Sequence, residues 1–183
     1  MRTQRRWLVF GLVVAIAAGL VSVVSAASGS SDRPPLRAWG FEPQKSAPVV
    51  IPHVAGATTL VVRLQATTAT YVDNPPTGTT SPGDELVVEG QLVSVHGTSL
   101  GHLEVHEVVT GMGPGMGGRL QLSFTALLAG GQISGTGVTG FNTATPALPV
   151  VGGTGRYVGA RGEVFVHSGP HRSRLTFLLL PRG

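Results

Sequence analysis

The segment Arg119-Leu-Gln-Leu-Ser-Phe-Thr-Ala-Leu-Leu128 alternates between apolar and polar side chains at almost every position. A period of two residues is typical of a β-strand that buries one face and exposes the other. Gly130-Gly131 follows directly, and a pair of glycines between two alternating segments is a hairpin signal. Gln132–Phe141 then resumes the pattern, with Gly135 and Gly137 where bends or close backbone approaches are expected. This stretch therefore predicts an antiparallel hairpin in an all-β domain.

The same pattern extends over the rest of the chain from residue 58 onward. No window shows a helical period over two or more turns, and turn-forming residues separate the short alternating segments. Eight strands are predicted: Thr58–Asp73, Asp84–Ser94, Gly101–Thr110, Arg119–Leu128, Gln132–Phe141, Ala147–Val151, Arg161–His167 and Ser173–Leu180. This spacing indicates a sandwich or a barrel. A closed barrel removes exposed sheet edges, which suits a chain that has no cysteine for disulfides.

The first 26 residues have the features of a cleaved signal peptide. Arg2, Arg5 and Arg6 form a basic start, and an apolar run over Trp7–Val24 follows it. Small residues close the segment at Ala26, which fits the cleavage rule for exported proteins. We therefore predict that residues 1–26 are removed and that the protein is secreted. Because the apolar run is near the lower length limit of a membrane span, an uncleaved N-terminal membrane anchor is the alternative.

The charge balance depends on this leader. The whole sequence carries a formal net charge of +4, from 13 basic and 9 acidic side chains. Three of the basic residues lie in the leader, so the remaining chain is close to neutral. A nearly neutral chain without blocks of like charge lacks the electrostatic features of a nucleic-acid-binding protein. We expect neither nucleic acid nor, after cleavage of the leader, a membrane among its partners.

Residues 27–57 differ in composition from the alternating segments on their C-terminal side. They are rich in Pro, Ser and Gly, and the recurring prolines prevent a helix and weaken any strand. We predict a flexible N-terminal segment here, followed by one barrel domain over residues 58–183. The alternative for Trp39-Gly-Phe41 is that it packs on the barrel or plugs one of its ends.

Two motifs carry a resemblance to a known family. Val150-Val-Gly-Gly-Thr-Gly-Arg-Tyr-Val-Gly-Ala-Arg-Gly162 resembles the dirigent motif V-V-G-G-T-G followed by A-R-G. Asp73-Asn-Pro-Pro-Thr77 resembles the dirigent D-x-P-x-T loop after the first strand. The order of strands and glycine turns over residues 58–180 is also similar to that of the dirigent and allene oxide cyclase family. The chain departs from the dirigent pattern at Ala147, where an acidic residue is usual.

This resemblance implies an eight-stranded antiparallel β-barrel around an internal, mostly apolar cavity. It also implies a homotrimer, with a homodimer as the other assembly we consider. Allene oxide cyclases isomerise a reactive epoxide, and dirigent proteins steer stereoselective coupling or cyclisation. By analogy we expect the barrel to bind a small hydrophobic or phenolic molecule and to guide its cyclisation, isomerisation or coupling without a cofactor. The alternatives are a non-catalytic carrier of a small ligand and a surface interaction protein with a filled barrel.

Glu107 is the first candidate catalytic residue. Alternation places it on the same face as Leu103, Val105 and Val109. If this apolar face lines the barrel interior, burial raises the pKa of the carboxyl group and prepares it for general acid or base catalysis. The alternative is a bulge near the end of the strand that turns Glu107 outward.

Arg161 and Asp73 complete the candidate catalytic set, and the candidate ligand-binding side chains are Tyr71, Phe124 and Phe177. An inward Arg161 would polarise a substrate oxygen or hold a buried carboxylate. Its alternative is an outer ion pair with the glutamate two positions further on. Asp73 and Tyr71 are expected at the barrel mouth, and plain turn chemistry is the alternative for both.

His102, Glu104 and His106 alternate on one predicted strand, which invites comparison with a metal site. Residues four apart on a strand are separated by roughly 13 Å, too far for both histidines to bind one ion at about 2.1 Å. We therefore expect no metal and interpret the three residues as a solvated outer face. Gly152–Gly159 is close to a dinucleotide-binding fingerprint, but its spacing differs and no helix pattern follows. We interpret it as a glycine turn between strands.

The loop Gly111–Gly118 contains Met112 and Met116 among its glycines. Flexible glycine-rich loops beside a cavity serve as lids in some binding proteins. We consider a plain flexible loop and a lid over the cavity as the two interpretations.

Overall fold

The chain forms a closed barrel of eight antiparallel strands in the computed structural model. The structure describes residues 50–75, 80–113, 118–141, 143, 145–168 and 173–181. The strands are β1 (Thr58–Val72), β2 (Glu85–Val93), β3 (Ser99–Met112), β4 (Gly118–Leu128), β5 (Gly131–Gly140), β6 (Ala147–Gly153), β7 (Gly162–Ser168) and β8 (Ser173–Leu179). Each strand pairs with its neighbour in sequence, and β8 pairs with β1 to close the barrel. The predicted fold class is confirmed.

All eight predicted strands are present, and their observed ends differ from the predicted ends by at most two residues. β3 differs most, because it begins two residues before and ends two residues after the predicted Gly101–Thr110. Among the described residues the one helix is a single 3-10 turn, Gly155–Tyr157. No helix in this part of the chain is long and apolar enough to cross a membrane.

Several predictions concern residues outside the described ranges. The signal peptide over residues 1–26 is one of them, and nearly all of the N-terminal segment 27–57 is another. The centre of the loop Gly111–Gly118 also lies outside these ranges, as does Thr77 of the dirigent-like loop. These predictions therefore stay predictions.

Inward side chains of all eight strands fill the barrel with one apolar core. β4 shows the rule, because its even-numbered residues from 120 to 126 are buried and the intervening ones are not. Phe124 and Phe177 meet inside the barrel edge to face, with ring centroids 6.1 Å apart. The Phe124 ring lies over its cross-strand partner Gly135, where any Cβ would overlap the ring. Gly135 thus permits the close approach expected of a glycine within a strand.

A β-bulge in β1 changes which of its residues face the interior. Leu64 is buried and points inward, and the register with β2 then shifts between Ala66 and Thr68. Beyond the shift, Tyr71 lies opposite Leu86, which is an inward residue of β2. Strict alternation would have put Tyr71 on the opposite face from Leu64. The extra residue therefore brings the tyrosine to the interior side.

The two ends of the barrel differ in polarity. At one end, here named the mouth, the strands are joined by connections 73–84, 113–117, 141–146 and 169–172. At the other end, here named the base, they are joined by connections 94–98, 129–130 and 154–161. Four buried polar side chains lie towards the mouth: Asp84, Glu107, Thr139 and Ser173. The mouth half of the interior is therefore where polar chemistry is available.

Candidate functional site

Glu107 lies inside the barrel, in the mouth half of β3. Its side chain is 2% exposed. The ladder around it is regular, and it pairs with Leu86 of β2 and Leu122 of β4, which are both buried. The register shift of β3 comes later, between Val109 and Gly111. The interior position expected from alternation is therefore present, and the outward bulge considered as its alternative is not.

The Glu107 carboxyl group is isolated from other polar groups. No described residue forms a hydrogen bond with either of its oxygens. Burial disfavours the charged form and raises the pKa of Glu107 from its ordinary value of 4.5 to about 8. At neutral pH the side chain is mostly a neutral carboxylic acid with one O–H donor. A buried donor without a partner is costly, and such perturbed groups cluster at functional sites.

A small apolar cavity lies in the barrel interior and is lined by neighbours of Glu107, although Glu107 itself is not among its lining residues. Its volume is about 20 Å³, which is room for about one water molecule. Leu122 is the cross-strand partner of Glu107, Val105 is the next inward residue of β3, and both line this cavity. Eight apolar residues form the lining: Leu103, Val105, Leu122, Phe124, Leu148, Val164, Val166 and Leu175. The cavity therefore begins next to the level of the buried carboxyl group.

Large apolar side chains occupy much of the described barrel interior outside this cavity. Leu120, Phe124 and Phe177 are buried and occupy much of the central volume. At the mouth, Phe141 is also buried, and its ring packs against Gly118. Sites for drug-sized ligands usually have volumes of about 300 Å³ or more. The internal cavity expected from the sequence is thus present but small, and a larger ligand requires movement of side chains at the mouth.

A second buried carboxyl group, Asp84, lies at the mouth where β2 begins, and sequence reasoning did not single it out. Its Oδ2 accepts hydrogen bonds from the Tyr71 hydroxyl at 2.5 Å and the Ser81 amide at 2.7 Å. Its Oδ1 accepts from the Asn74 amide at 2.9 Å and the Ser81 hydroxyl at 3.2 Å. The available signal was Ser81-Pro-Gly-Asp84, a turn sequence in which an aspartate side chain commonly bonds to nearby backbone.

Asp84 and Tyr71 have pKa values shifted in opposite directions. Burial acts to raise the pKa of Asp84, but the hydrogen bonds from Tyr71, Asn74 and Ser81 outweigh it and lower the pKa below 3.8. Burial, followed by the hydrogen bond to Asp84, raises the pKa of Tyr71 well above 10. The aspartate therefore stays ionised and the tyrosine stays protonated. Through these hydrogen bonds the Asp84 carboxylate fixes the connection 73–84 to Tyr71 of β1.

The other predicted site residues on the interior side lie near this group or near the cavity. Phe124 lines the cavity, and Phe177 packs against it in the core. Asp73 follows β1 at the mouth and is partly buried, and its charge contributes to the raised pKa of Tyr71. The structure therefore places Tyr71 and Asp73 at the mouth and the two phenylalanines inside the barrel.

Arg161 is not part of this site. The predicted strand began at Arg161, but β7 begins at Gly162, so the arginine precedes the alternating segment. Its side chain is exposed at the base, and its Nη2 donates to the Pro181 carbonyl at 3.3 Å. The Leu180 amide donates in turn to the Arg161 carbonyl at 2.9 Å. The prediction of an inward Arg161 is therefore wrong. The residue instead forms hydrogen bonds with Leu180 and Pro181, which follow β8.

The glycine motif that carries the family resemblance forms a clasp at the base. Gly155 has a φ of +58°, in the left-handed region, and a Cβ there would overlap the Gly130 carbonyl. Thr154 exchanges hydrogen bonds with Gln132: its amide donates at 2.9 Å, and its hydroxyl accepts at 3.1 Å. The Arg156 amide donates to the Gly130 carbonyl at 2.8 Å. The motif thus ties the β6–β7 connection to the β4–β5 hairpin and specifies fold, at the end opposite to the polar groups.

His102, Glu104 and His106 are exposed on the outer face of β3, as expected. His106 Nε2 lies 2.9 Å from Oε2 of Glu85 on β2. Within the described ranges, no group of three or more histidine and carboxylate side chains is arranged to hold a metal ion. The alternating pattern on this strand therefore belongs to the solvated surface.

Comparison with known proteins bears on the fold. No protein-family model and no curated protein matches this chain. A similar solved structure is that of a pyocyanin demethylase, with 22% identity, a TM-score of 0.61, and coverage of 67% of this chain and 100% of that one. An exo-specific intermolecular Diels-Alderase has 15% identity, a TM-score of 0.56, and coverage of 68% and 98%. A pterocarpan synthase dirigent protein has 14% identity, a TM-score of 0.50, and coverage of 69% and 86%.

These similarities define the class of structure. At such sequence identities the likeness establishes a shared barrel fold. A dirigent protein is among these neighbours, which is consistent with the dirigent-like motifs in the sequence. The chain is therefore an eight-stranded antiparallel barrel of the shape found in dirigent and cyclase proteins.

Proposed function

We propose that this protein binds a small hydrophobic or phenolic molecule inside the barrel and guides its cyclisation, isomerisation or stereoselective coupling. The observation that supports this function is the buried Glu107 carboxyl group, which has no described hydrogen-bond partner and whose neighbours Val105 and Leu122 line an apolar cavity. Structural neighbours named as a Diels-Alderase and as a pterocarpan synthase dirigent protein share the barrel. Their names are consistent with the same class of chemistry.

Glu107 acts in this proposal as a proton donor. Its neutral carboxyl group donates a hydrogen bond to an oxygen of the bound molecule and withdraws electron density from the reacting centre. A positioned general acid contributes a factor of about 10² to 10⁴ in rate. The apolar walls around it exclude water and restrict the conformations of the substrate, which favours ring closure over side reactions.

Access to this group is through the mouth. Phe141 packs over Gly118 at this end, and the connection 141–146 carries it. Rotation of one aromatic side chain on a connection is easier than opening the clasp at the base, which is fastened by several backbone hydrogen bonds. A ligand would therefore displace Phe141 and place its polar end near Glu107.

The test begins with a thermal-shift screen of the purified protein against fatty-acid epoxides, phenylpropanoids and polyketide-like compounds. Product formation from any ligand that raises the Tm is then compared between the wild type and Glu107→Gln. We expect the rate to fall by about 10²-fold or more in Glu107→Gln, because the amide keeps the size of the side chain but has no acidic proton.

Glu104→Gln, on the exposed face of the same strand, is the matched control and should react at the wild-type rate. Equal rates in Glu107→Gln and the wild type would overturn the catalytic role. A folded protein that responds to no compound class would overturn the small-molecule role.

A second candidate function, a surface interaction protein, is favoured by the packing of the interior. A cavity of about 20 Å³ requires no ligand, and outward apolar side chains such as Val138 and Val151 are 57% and 61% exposed. In this case the barrel is a rigid support for a protein-binding surface, and Glu107 has no substrate. The thermal-shift screen separates the two functions, because only a small-molecule site shifts the Tm with a ligand.

We also propose that the protein is exported and acts after removal of residues 1–26, as a homotrimer or homodimer. The basic start and apolar run of the leader support export. N-terminal sequencing of the protein from expressing cells tests this, since cleavage makes Ala27 the first residue. An intact Met1 in the membrane fraction would instead indicate an N-terminal anchor.

A further inference from the structure

The described barrel interior contains carboxyl groups but no basic side chain. Glu107 is the inward charged residue of the strands, and Asp84 is the buried carboxylate at the mouth. All the arginines in the described ranges lie on the outer face or in connections: Arg63, Arg119, Arg156, Arg161 and Arg174. This part of the molecule therefore offers no counter-ion to a negatively charged ligand inside the barrel.

Among the described residues, the groups around Glu107 leave its carboxyl group without a hydrogen-bond partner. Its partners on β2 and β4 are Leu86 and Leu122, which do not titrate. The titratable groups facing the same region are Tyr71, which lies opposite Leu86, and Asp84. Since the Tyr71 hydroxyl already donates to Asp84, these two groups satisfy each other. In the described part of the chain, a ligand at the mouth end therefore finds two buried hydroxyl-type donors without a partner, the Glu107 carboxyl group inside the barrel and the Thr145 hydroxyl in the connection 141–146.

We propose that the ligand is an uncharged molecule whose carbonyl oxygen, of a ketone or quinone type, accepts a hydrogen bond from Glu107 while its hydrocarbon body lies among the apolar side chains around the cavity, in space that opens when side chains at the mouth move. This inference rests on the function proposed above and narrows its substrate class. The order of groups along β3 fits it, because Glu107 lies on the mouth side of Leu103 and Val105, which line the cavity.

Charged ligands fit the same site poorly for two different reasons. A carboxylate ligand would bring a negative charge into a low-dielectric interior that holds carboxyl groups and no described cation. An ammonium ligand would need an ionised Glu107, so two charges would lose their hydration together, and their attraction often fails to compensate for that loss. An uncharged acceptor needs only one hydrogen bond, and it removes the cost of the unpaired donor.

Three bicyclic probes of the same size test the proposal: 1-tetralone, 1,2,3,4-tetrahydro-1-naphthoic acid and 1-aminotetralin. Their affinities for the purified protein are measured by calorimetry at about pH 6.5, where Glu107 is protonated. We expect the ketone to bind at least about tenfold more tightly than the acid or the amine. Shifts of the NMR signals of the Val105 and Leu122 methyl groups should show that the ketone binds inside the barrel.

The pH dependence of ketone binding adds a second readout. Because burial raises the pKa of Glu107 to about 8, its donor is lost above that pH and ketone affinity should fall there. Glu107→Gln keeps a neutral donor, so it should bind the ketone with no such fall. Glu107→Leu removes the donor and should lose the preference for the ketone over an uncharged hydrocarbon of the same shape, tetralin.

The outcomes distinguish this inference from the function on which it rests. Tighter binding of the acid or the amine inside the barrel would overturn the inference and leave a small-molecule function standing. Retention of the ketone preference in Glu107→Leu would also overturn it, because the donor would then lie elsewhere. Failure of all probes, tetralin included, to bind the folded wild-type protein would overturn both.

Discussion

A single buried carboxyl group sets the chemical character of the barrel interior. Glu107 is surrounded by leucine and valine side chains and has no described partner for either oxygen. Asp84, at the mouth of the same barrel, is equally buried but accepts four hydrogen bonds. Desolvation dominates at the first group and hydrogen bonding at the second, so their pKa values move apart. One carboxyl is available for chemistry and the other holds structure.

Glu107 should make the protein less stable as the pH rises. Between its ordinary pKa of 4.5 and the folded-state pKa of about 8, the folded chain keeps a proton that the unfolded chain has lost. Rising pH in this window therefore favours unfolding, by about 1.4 kcal/mol per pH unit from this group, and the effect levels off above the window. Urea unfolding at several pH values between about 5 and 8 measures it.

Glu107→Gln should remove this pH dependence, because an amide does not titrate. Glu104→Gln on the outer face of β3 is the control and should keep the wild-type dependence. An identical slope in the wild type and Glu107→Gln would show that the carboxyl is ionised in the folded protein, contrary to its buried, unpaired state.

At the level of the strands and turns, two local features shape the ends of the barrel: a β-bulge in β1 and the glycine turn between β6 and β7. The bulge in β1 between Ala66 and Thr68 turns Tyr71 inward, where it reaches Asp84. The glycine clasp at the base joins the β6–β7 connection to the β4–β5 hairpin. The bulge organises the polar mouth, and the clasp closes the opposite end. The most recognisable motif of the sequence therefore has a structural role, and the candidate functional groups lie at the other end of the barrel.

Gly155→Ala should destabilise the protein by about 2 kcal/mol or more. Gly155 has a φ of +58°, and a Cβ there would collide with the Gly130 carbonyl oxygen. The backbone must then move and loosen the bond from the Arg156 amide to the same oxygen. The free energy of unfolding in urea measures the change.

Gly152→Ala is the matched substitution in the same motif, since a Cβ at Gly152 meets no atom within 4 Å. It should be close to neutral. Similar losses in both variants would mean that the motif is sensitive throughout and that the clasp geometry at Gly155 is not the cause.

For the whole molecule, the decisive property is how fully eight strands fill their own interior. Residues such as Phe124 and Phe177 occupy the centre, and a cavity of about 20 Å³ remains. Protein interiors with so little free space stabilise the fold but admit only small molecules without rearrangement. The balance between packing and ligand space is therefore set by a few large side chains around the cavity.

Leu148→Ala should enlarge the cavity and reduce stability by about 2–5 kcal/mol. Leu148 is 2% exposed and lines the cavity from β6. The vacated space is apolar, so a small apolar compound such as benzene should bind there and recover part of the lost Tm. Urea unfolding and thermal shift with and without benzene provide the measurements.

Val151→Ala on the outer face of β6 is the control, because Val151 is 61% exposed. It should change stability by less than about 0.5 kcal/mol and show no response to benzene. A benzene response as large in Val151→Ala would place the binding site outside the barrel.

Most of the fold followed from alternation, because apolar and polar side chains separate strictly across a barrel wall. That period, with the turn residues between segments, predicted the eight strands and placed Glu107 on the apolar face of β3, with an outward bulge left as the alternative for Glu107. The inward Arg161 was wrong because the inward face of β7 is formed by Val164 and Val166, and Arg161 alternates with the exposed Glu163 on the other side. The buried Asp84 was missed because two of its donors, Tyr71 and Asn74, are 13 and 10 residues away in the chain, and only folding brings them to its carboxylate.

Three properties could be read from the order of residues: the all-β class, the strand boundaries within two residues, and which face of β3 carries a carboxyl group among apolar neighbours. These are local properties, because a period of two is visible wherever one face of a strand is buried. The tertiary structure alone decided the inward turn of Tyr71 beyond the bulge, the satisfied state of Asp84 and the small size of the cavity. The first two features depend on the register between strands that are distant in sequence. The cavity size depends on how side chains from all eight strands pack into one interior volume, and no single segment of the chain specifies that packing.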